Sequence, residues 1–315
     1  MRCSSCNTVS SSGDRYCSQC GGYLSAKPGT SHRDLSQLSP DSLVETLAAG
    51  LPLIWNNASS LWEEATELEK LGKYRSSGIL NSFAEEEAAK VLLLFDVLRC
   101  PNSLSDKRGQ LIGQLDNHIG KGIYVRYYRT SPADLTEVRR IVDSERKEFW
   151  REGEYGEYIL PNSITTSREA RLYVSYIRND DGTYEWSAPR DRLFHFGELS
   201  RSGVLRVAGA LKDAGLFERD ALRVARDYWQ KFQFEDLGDD PLAESMDGNV
   251  RWRDLTQMNY GMLHLLAERR LLSASMAEES QFALMRELLF PLYPFDLSLN
   301  RNFKELSPPE WPDSY

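Results

Sequence analysis

The sequence predicts a mainly helical protein: a helical bundle with one inserted β-hairpin, preceded by a small cysteine-rich module. Three observations lead there. From Asp41 onward most of the chain keeps apolar residues at three-and-four spacing, the period of an amphipathic helix. One short stretch, Leu172 to Trp186, alternates instead and holds the turn signal Asn179-Asp180-Asp181-Gly182. Four of the five cysteines fall within the first 20 residues.

The cysteines read Cys3-x2-Cys6, ten residues, then Cys17-x2-Cys20. A pair two apart can place both thiolates on one small cation, and two such pairs complete a tetrahedral site that favours zinc. Two disulfides are the alternative, which an oxidising compartment would be needed to support. Gly21 and Gly22 permit the tight turn of a zinc knuckle. Residues 1–23 are therefore read as a zinc ribbon, with Zn2+ in a structural role, since four thiolates leave no open position for catalysis. Residues 24–40 are polar with Gly and Pro and read as a linker that carries His32. Cys100 reads as an ordinary buried thiol.

With 315 residues, 41% of them hydrophobic and 27% charged, the chain can bury a sizeable core. Against 38 basic residues stand 47 acidic ones, a net charge of −9 that excludes a globally basic nucleic-acid coat but leaves room for a local basic cleft. No apolar run approaches the ~20 residues of a membrane span, and no apolar signal core follows Met1-Arg2-Cys3. A soluble, cytoplasmic protein without membrane contact is the expectation. A Walker loop, G-x-G-x-x-G, H-E-x-x-H and G-x-S-x-G are all missing, which argues against the chemistries those motifs serve.

The elements follow in order. Ile54, Ala58, Leu61, Ala65 and Leu68 mark a first helix that stops at Gly72. A second helix runs from about Tyr74 to Leu98, a third from about Ser105 to Arg129, and a fourth covers about 132–152. Residues 153–167 read as loop, and the hairpin follows near 170–187. Helices resume at about 190–215, 217–234, 251–273 and 276–290, before a proline-rich irregular tail. The helical domain is taken as 41–235 and the C-terminal extension as 236–315.

The second helix holds the most informative signal, FAEEEAAKVLLLFDVL at 83–98. At about 100° per residue from Phe83, Glu87 lies at about 40° and Lys90 at about −20°, inside the stripe formed by Leu80, Val91, Leu94 and Leu98. Glu86 lies at the stripe's edge, and Glu85 points away. Charges on a core-facing stripe need partners. They are either ordinary pairs on a wet helix edge or an interior polar cluster in a cleft, where function tends to override packing. On the third helix, His118 sits at the boundary of the stripe Ile112, Leu115, Ile119 and Ile123, with Lys121 one turn on. A neutral imidazole beside a carboxylate can act as general base or acid near pH 7. Arg168 is a further phosphate-binding candidate whose plainer reading is a surface arginine, and His264, in an apolar run, reads as a core histidine.

These residues carry a resemblance. LWEEATELEKLGKYRSSGILNSFAEEEAAKVLLL (61–94), with its Ala-x-Glu-Glu-x-x-Lys core of Ala84, Glu86, Glu87 and Lys90, resembles the opening of the AbiV family of phage abortive-infection proteins. DNHIGKGIYVRYY (116–128) is similar to the family's His-x-x-Lys helix through His118 and Lys121, and REARLYVSYIRNDDG (168–182) to its hairpin. The likeness covers roughly 55–215. It implies a HEPN-like helical bundle, a superfamily in which many members are metal-independent RNases that dimerise around a shared cleft. That superfamily's Arg-x4-6-His motif has one match here, Arg190-x4-His195. The resemblance thus implies an antiphage effector, with Glu86, Glu87, Lys90, His118, Lys121, Arg190 and His195 as the site, RNA as substrate and a homodimer as the assembly. The alternative is a non-catalytic sensor that captures a phage or host protein, or nucleic acid, through the ribbon and the helical domain.

Overall fold

The computed structural model describes residues 32–153, 156–160, 162–178, 182–189, 200–235 and 251–300. The cysteine module, residues 24–31 of the expected linker, Arg190 and His195 lie outside the described residues.

After a 3-10 turn at His32–Gln37, α1 (Pro40–Lys70) starts where Ser39 Oγ accepts the amide of Ser42 and Pro40 supplies a preset φ. It ends where Gly72 takes a φ of 70°, a conformation that glycine adopts without steric cost. α2 (Tyr74–Arg99) returns along α1. Ala58 and Ala65 of α1 and Ser77, Gly78, Ala84, Ala88 and Ala89 of α2 are all buried, and their small size lets the two helices run close together. From Val91 onward α2 is buried on every side. Its first half therefore presents its small residues to the core and leaves Phe83, Glu86, Glu87 and Lys90 half-buried.

The expected third helix is broken in two: α3 (Ser105–Ile112) and α4 (His118–Tyr127). Asn117 starts the second piece, accepting the amide of Ile119 on Oδ1 and donating to Gln114 from Nδ2. α5 (Leu135–Glu145) is capped by Asp134 and ends earlier than expected. The chain then pairs β1 (Phe149–Gly153) with β2 (Gly156–Leu160), a hairpin where helix end and loop were expected. α6 (Ser163–Leu172) follows, then β3 (Ser175–Arg178) and β4 (Tyr184–Ser187), the hairpin the alternation predicted. The fold thus has two hairpins among the described residues rather than one. α7 (Gly203–Asp213), α8 (Arg219–Trp229), α9 (Trp252–Glu268) and α10 (Glu278–Arg286) complete the bundle. A β-carbon on Gly203 would stand 2.0 Å from the Tyr128 carbonyl oxygen, so only glycine lets α7 begin there. His264 is exposed beside Glu268, not a core residue, because it sits on α9 opposite the buried Met262–Leu263–Leu266 side. Among the described residues no helix is long and apolar enough to cross a membrane.

At the centre of the bundle lies a fully buried ion pair between Asp96 and Arg99 on α2. Asp96 Oδ2 also accepts from the Tyr124 hydroxyl at 2.6 Å and from the Leu292 amide at 2.8 Å. Arg99 donates to the Leu289 carbonyl at 2.9 Å and lies over the rings of Phe95 and Trp229. Tyr127 donates to the Phe290 carbonyl at 3.1 Å. Segment 288–297 has no helix of its own, and it is held against α2 and α4 by these side chains. Burial opposes the Arg99 charge, but the adjoining carboxylate outweighs it and holds the guanidinium protonated more firmly than usual.

Replacing Asp96 with Ala leaves Arg99 charged and unpaired in the core; urea unfolding of Asp96→Ala should show a loss of about 3–5 kcal/mol, and a loss under 1 kcal/mol would contradict the assigned role. A second expectation concerns pH. Burial first, and the Asp96 charge second, push the Tyr124 phenol well above its ordinary value; burial also raises Tyr127 and Tyr128. Because the folded-state values are raised, this contribution to stability is complete below the unfolded phenol value of about 10 and is lost as pH rises beyond it. Absorbance titration near 295 nm should show these phenols ionising only together with loss of helical circular dichroism.

Candidate functional site

Glu86 is the point at which three elements meet. α2 presents it half-buried, its side chain 15% exposed, one turn before Lys90. α4 brings His118 Nδ1 to 2.8 Å and Lys121 Nζ to 3.2 Å of the same oxygen, Oε2. α6 brings Arg168 Nε to 3.5 Å of the other oxygen, Oε1, with the guanidinium over the Phe83 ring at 5.8 Å.

The local folding explains each placement. The break at Gly113–Asn117 makes His118 the first residue of α4, and Lys121 follows three residues later on the same face. Gly120 lets the Gln114 side chain fold against the helix; a β-carbon there would meet it at 2.7 Å. Gly122 lets α6 sit directly on α4, with Ile164 Cγ2 only 2.4 Å from where a β-carbon would be. Ile164 and Arg168 are four apart and share a face of α6, so seating one over Gly122 aims the other at Glu86. Asn162 ties the start of α6 to the end of α5, donating to the carbonyls of Glu145 and Lys147 at 2.7 and 3.1 Å. Arg126 bridges Glu145 and Ser163 at 2.6 and 2.8 Å.

The electrostatics are uneven. One carboxylate faces two fixed cations and an imidazole, so the cluster carries an excess of positive charge in an acidic chain. Lys121 is nearly enclosed, its side chain 7% exposed, whereas His118 is 48% exposed. An ionised Glu86 accepts the Nδ1 proton, so the neutral ring keeps its lone pair at Nε2. Arg168 Nε is buried and, among the described residues, makes no hydrogen bond beyond its long ion pair. The arrangement can therefore take up a proton at Nε2 beside guanidinium and ammonium groups suited to an anion.

Not every expected residue takes part in this cluster. Glu87 and Lys90 pair with each other at 2.5 Å, on a half-buried edge of α2. Glu85, read as pointing away, is buried and receives Arg129 Nη2 on both oxygens at 3.0 and 3.1 Å. Arg190, His195, Cys3, Cys6, Cys17 and Cys20 are outside the described residues; among those described, no group of side chains is arranged to hold a metal. Arg168 is the residue whose part was read as the lesser; its signal was a cation four residues beyond Ile164, on a helix the sequence did not disclose.

Residues 46–193 match the family model HEPN_AbiV, described as AbiV. The match supports the AbiV/HEPN family for this segment. It contains Glu86, His118, Lys121 and Arg168, every member of the cluster, as well as both hairpins. The mainly helical architecture is consistent with a HEPN-type fold, and the match of this segment to the AbiV model suggests abortive infection, a form of antiphage defence. No curated protein and no solved structure matches the chain.

Proposed function

We propose that the protein is an abortive-infection effector whose Glu86 cluster cleaves RNA without a metal ion. The observation that carries this reading is the convergence of His118, Lys121 and Arg168 on one half-buried carboxylate within the AbiV-matching segment. In this mechanism His118 Nε2 takes the ribose 2′-hydroxyl proton. The 2′-oxygen forms a bond to phosphorus, the bond from phosphorus to the 5′-oxygen breaks, and the leaving oxygen is protonated by water. Arg168 and Lys121 offset the charge that gathers on the phosphorane oxygens. Glu86 holds the imidazole by Nδ1 and sets its tautomer, a positioning role rather than attack. Glu87 and Lys90 fix the neighbouring turn, and Arg190 and His195 join the site as its Arg-x4-His element. In the same proposal Cys3, Cys6, Cys17 and Cys20 form a structural zinc module, and two copies assemble as a homodimer.

A second reading is a non-catalytic sensor that binds a phage or host protein. It is favoured by the exposed Tyr176, Tyr184 and Trp186 on the second hairpin, a surface that catalysis itself does not need.

Purified full-length protein should degrade RNA in the presence of EDTA, and His118→Ala should lower the rate about 100-fold or more. Equal activity of His118→Ala would remove the proposed chemistry. Intact RNA together with a stable complex with a phage protein would replace it with the sensor reading.

A further inference from the structure

The β3–β4 hairpin has a face that the site chemistry does not use. In the antiparallel register Tyr176 stands opposite Trp186 and Arg178 opposite Tyr184, so the three rings project to one side. Tyr176 stacks on Tyr184 with centroids 5.7 Å apart and planes 20° from parallel, and it packs against Trp186 at 5.0 Å. All three remain exposed, Trp186 at 73%. A soluble protein ordinarily covers such rings unless something binds them.

The hairpin is joined directly to the Glu86 site. α6 carries Arg168 in the cluster and ends at Leu172, where Arg75 of α2 donates to the Leu172 carbonyl at 3.4 Å. Four helical residues and then four extended ones separate Arg168 from Tyr176, a reach of at most about 20 Å. A few nucleotides of a single strand span that distance. Arg75, Arg168 and Arg171 lie on the α6 side, and Arg178 ends β3 opposite Tyr184. The acidic pair Asp180-Asp181 belongs to the connection beyond β3. A polyanion leaving the cluster thus meets arginines first and rings next.

We propose that this aromatic face stacks the bases of a single-stranded RNA whose backbone enters the Glu86 site. The inference rests on the RNA-cleaving reading and names its substrate as single-stranded. Exposed rings beside a cationic track are how proteins hold single strands without reading sequence, since every base has a π-face. A second copy of the chain is a poorer occupant. Two four-residue strands present a face of about 13 by 10 Å, far below the ~800 Å² per partner that a stable dimer needs.

The test uses full-length protein in a His118→Ala background, so that the probe stays intact. Fluorescence anisotropy follows a labelled 12-nucleotide oligouridylate and an abasic ribose-phosphate oligomer of the same length. Trp186→Ala should weaken oligouridylate binding about tenfold, Trp186→Phe should restore it to within about threefold, and abasic binding should be the same in all three proteins. Four outcomes overturn the proposal: an unchanged Kd for Trp186→Ala, equal loss for the abasic probe, no binding of either probe, or a dimer that dissociates on Trp186→Ala in sedimentation velocity. The last assigns the face to self-association. Failure of the cleavage reading is separate: it shows as absence of RNA degradation by protein that retains His118, whatever the binding curves do.

Discussion

The buried Asp96–Arg99 pair is the constraint on which the arrangement of α2 and α4 depends. A carboxylate and a guanidinium deep in an apolar bundle are tolerable only when every lone pair and proton finds a partner. Here the partners come from outside α2: the Tyr124 hydroxyl, the Leu292 amide and the Leu289 carbonyl. Satisfying the pair therefore requires α4 and the 288–293 segment to be in place. Tyr124 lies one turn beyond Lys121 on α4, and Asp96 lies ten residues beyond Glu86 on α2. Two ties, one closed in the core and one half-open at the surface, set α4 against α2. The inner tie fixes the register that allows the outer one to bring His118 and Lys121 to the same carboxylate oxygen.

Polar groups on α2 thus serve in two ways, and burial distinguishes them. Asp96 and Arg99 are sealed by core packing, with nothing left to offer a ligand. Glu86 is screened on one side by Lys121 and Arg168 and open on the other through His118. Surplus positive charge at the second station, in a chain with a net charge of −9, is a local departure from the protein's own balance. Such departures are where ligand recognition overrides packing.

Much of this was legible in the sequence. Gly72 announced the end of α1, and alternation with a turn signal announced β3–β4. Glu86, His118 and Lys121 stand out in the sequence as charges at the edges of apolar stripes, and the structure brings them together. The rest was hidden for physical reasons. Ile112, Leu115, Ile119 and Ile123 keep a helical period across the interruption between α3 and α4, because periodicity reports which residues are buried and not whether the backbone ladder is continuous. Glu85 was read as outward because the stripe was drawn through bulky Phe83. The close approach of α1 is set instead by small residues, which rotate that part of α2 and bury Glu85 against Arg129. The signal of Asp96 and Arg99 was an opposite-charge pair three apart inside the run VLLLFDVLRC, a place where solvent cannot be the partner. Arg168 could not be placed without α6.

The central claim is that Glu86 holds the His118 ring by Nδ1 and leaves Nε2 to act. Long-range 1H–15N correlation of the four histidines at about pH 8, where a free imidazole is neutral, reads the tautomer directly. In the wild-type protein His118 is expected as the Nδ1–H form, reverting in Glu86→Ala to the tautomer mixture of an unconstrained imidazole. A wild-type His118 already in the Nε2–H form, and unchanged by Glu86→Ala, would contradict it.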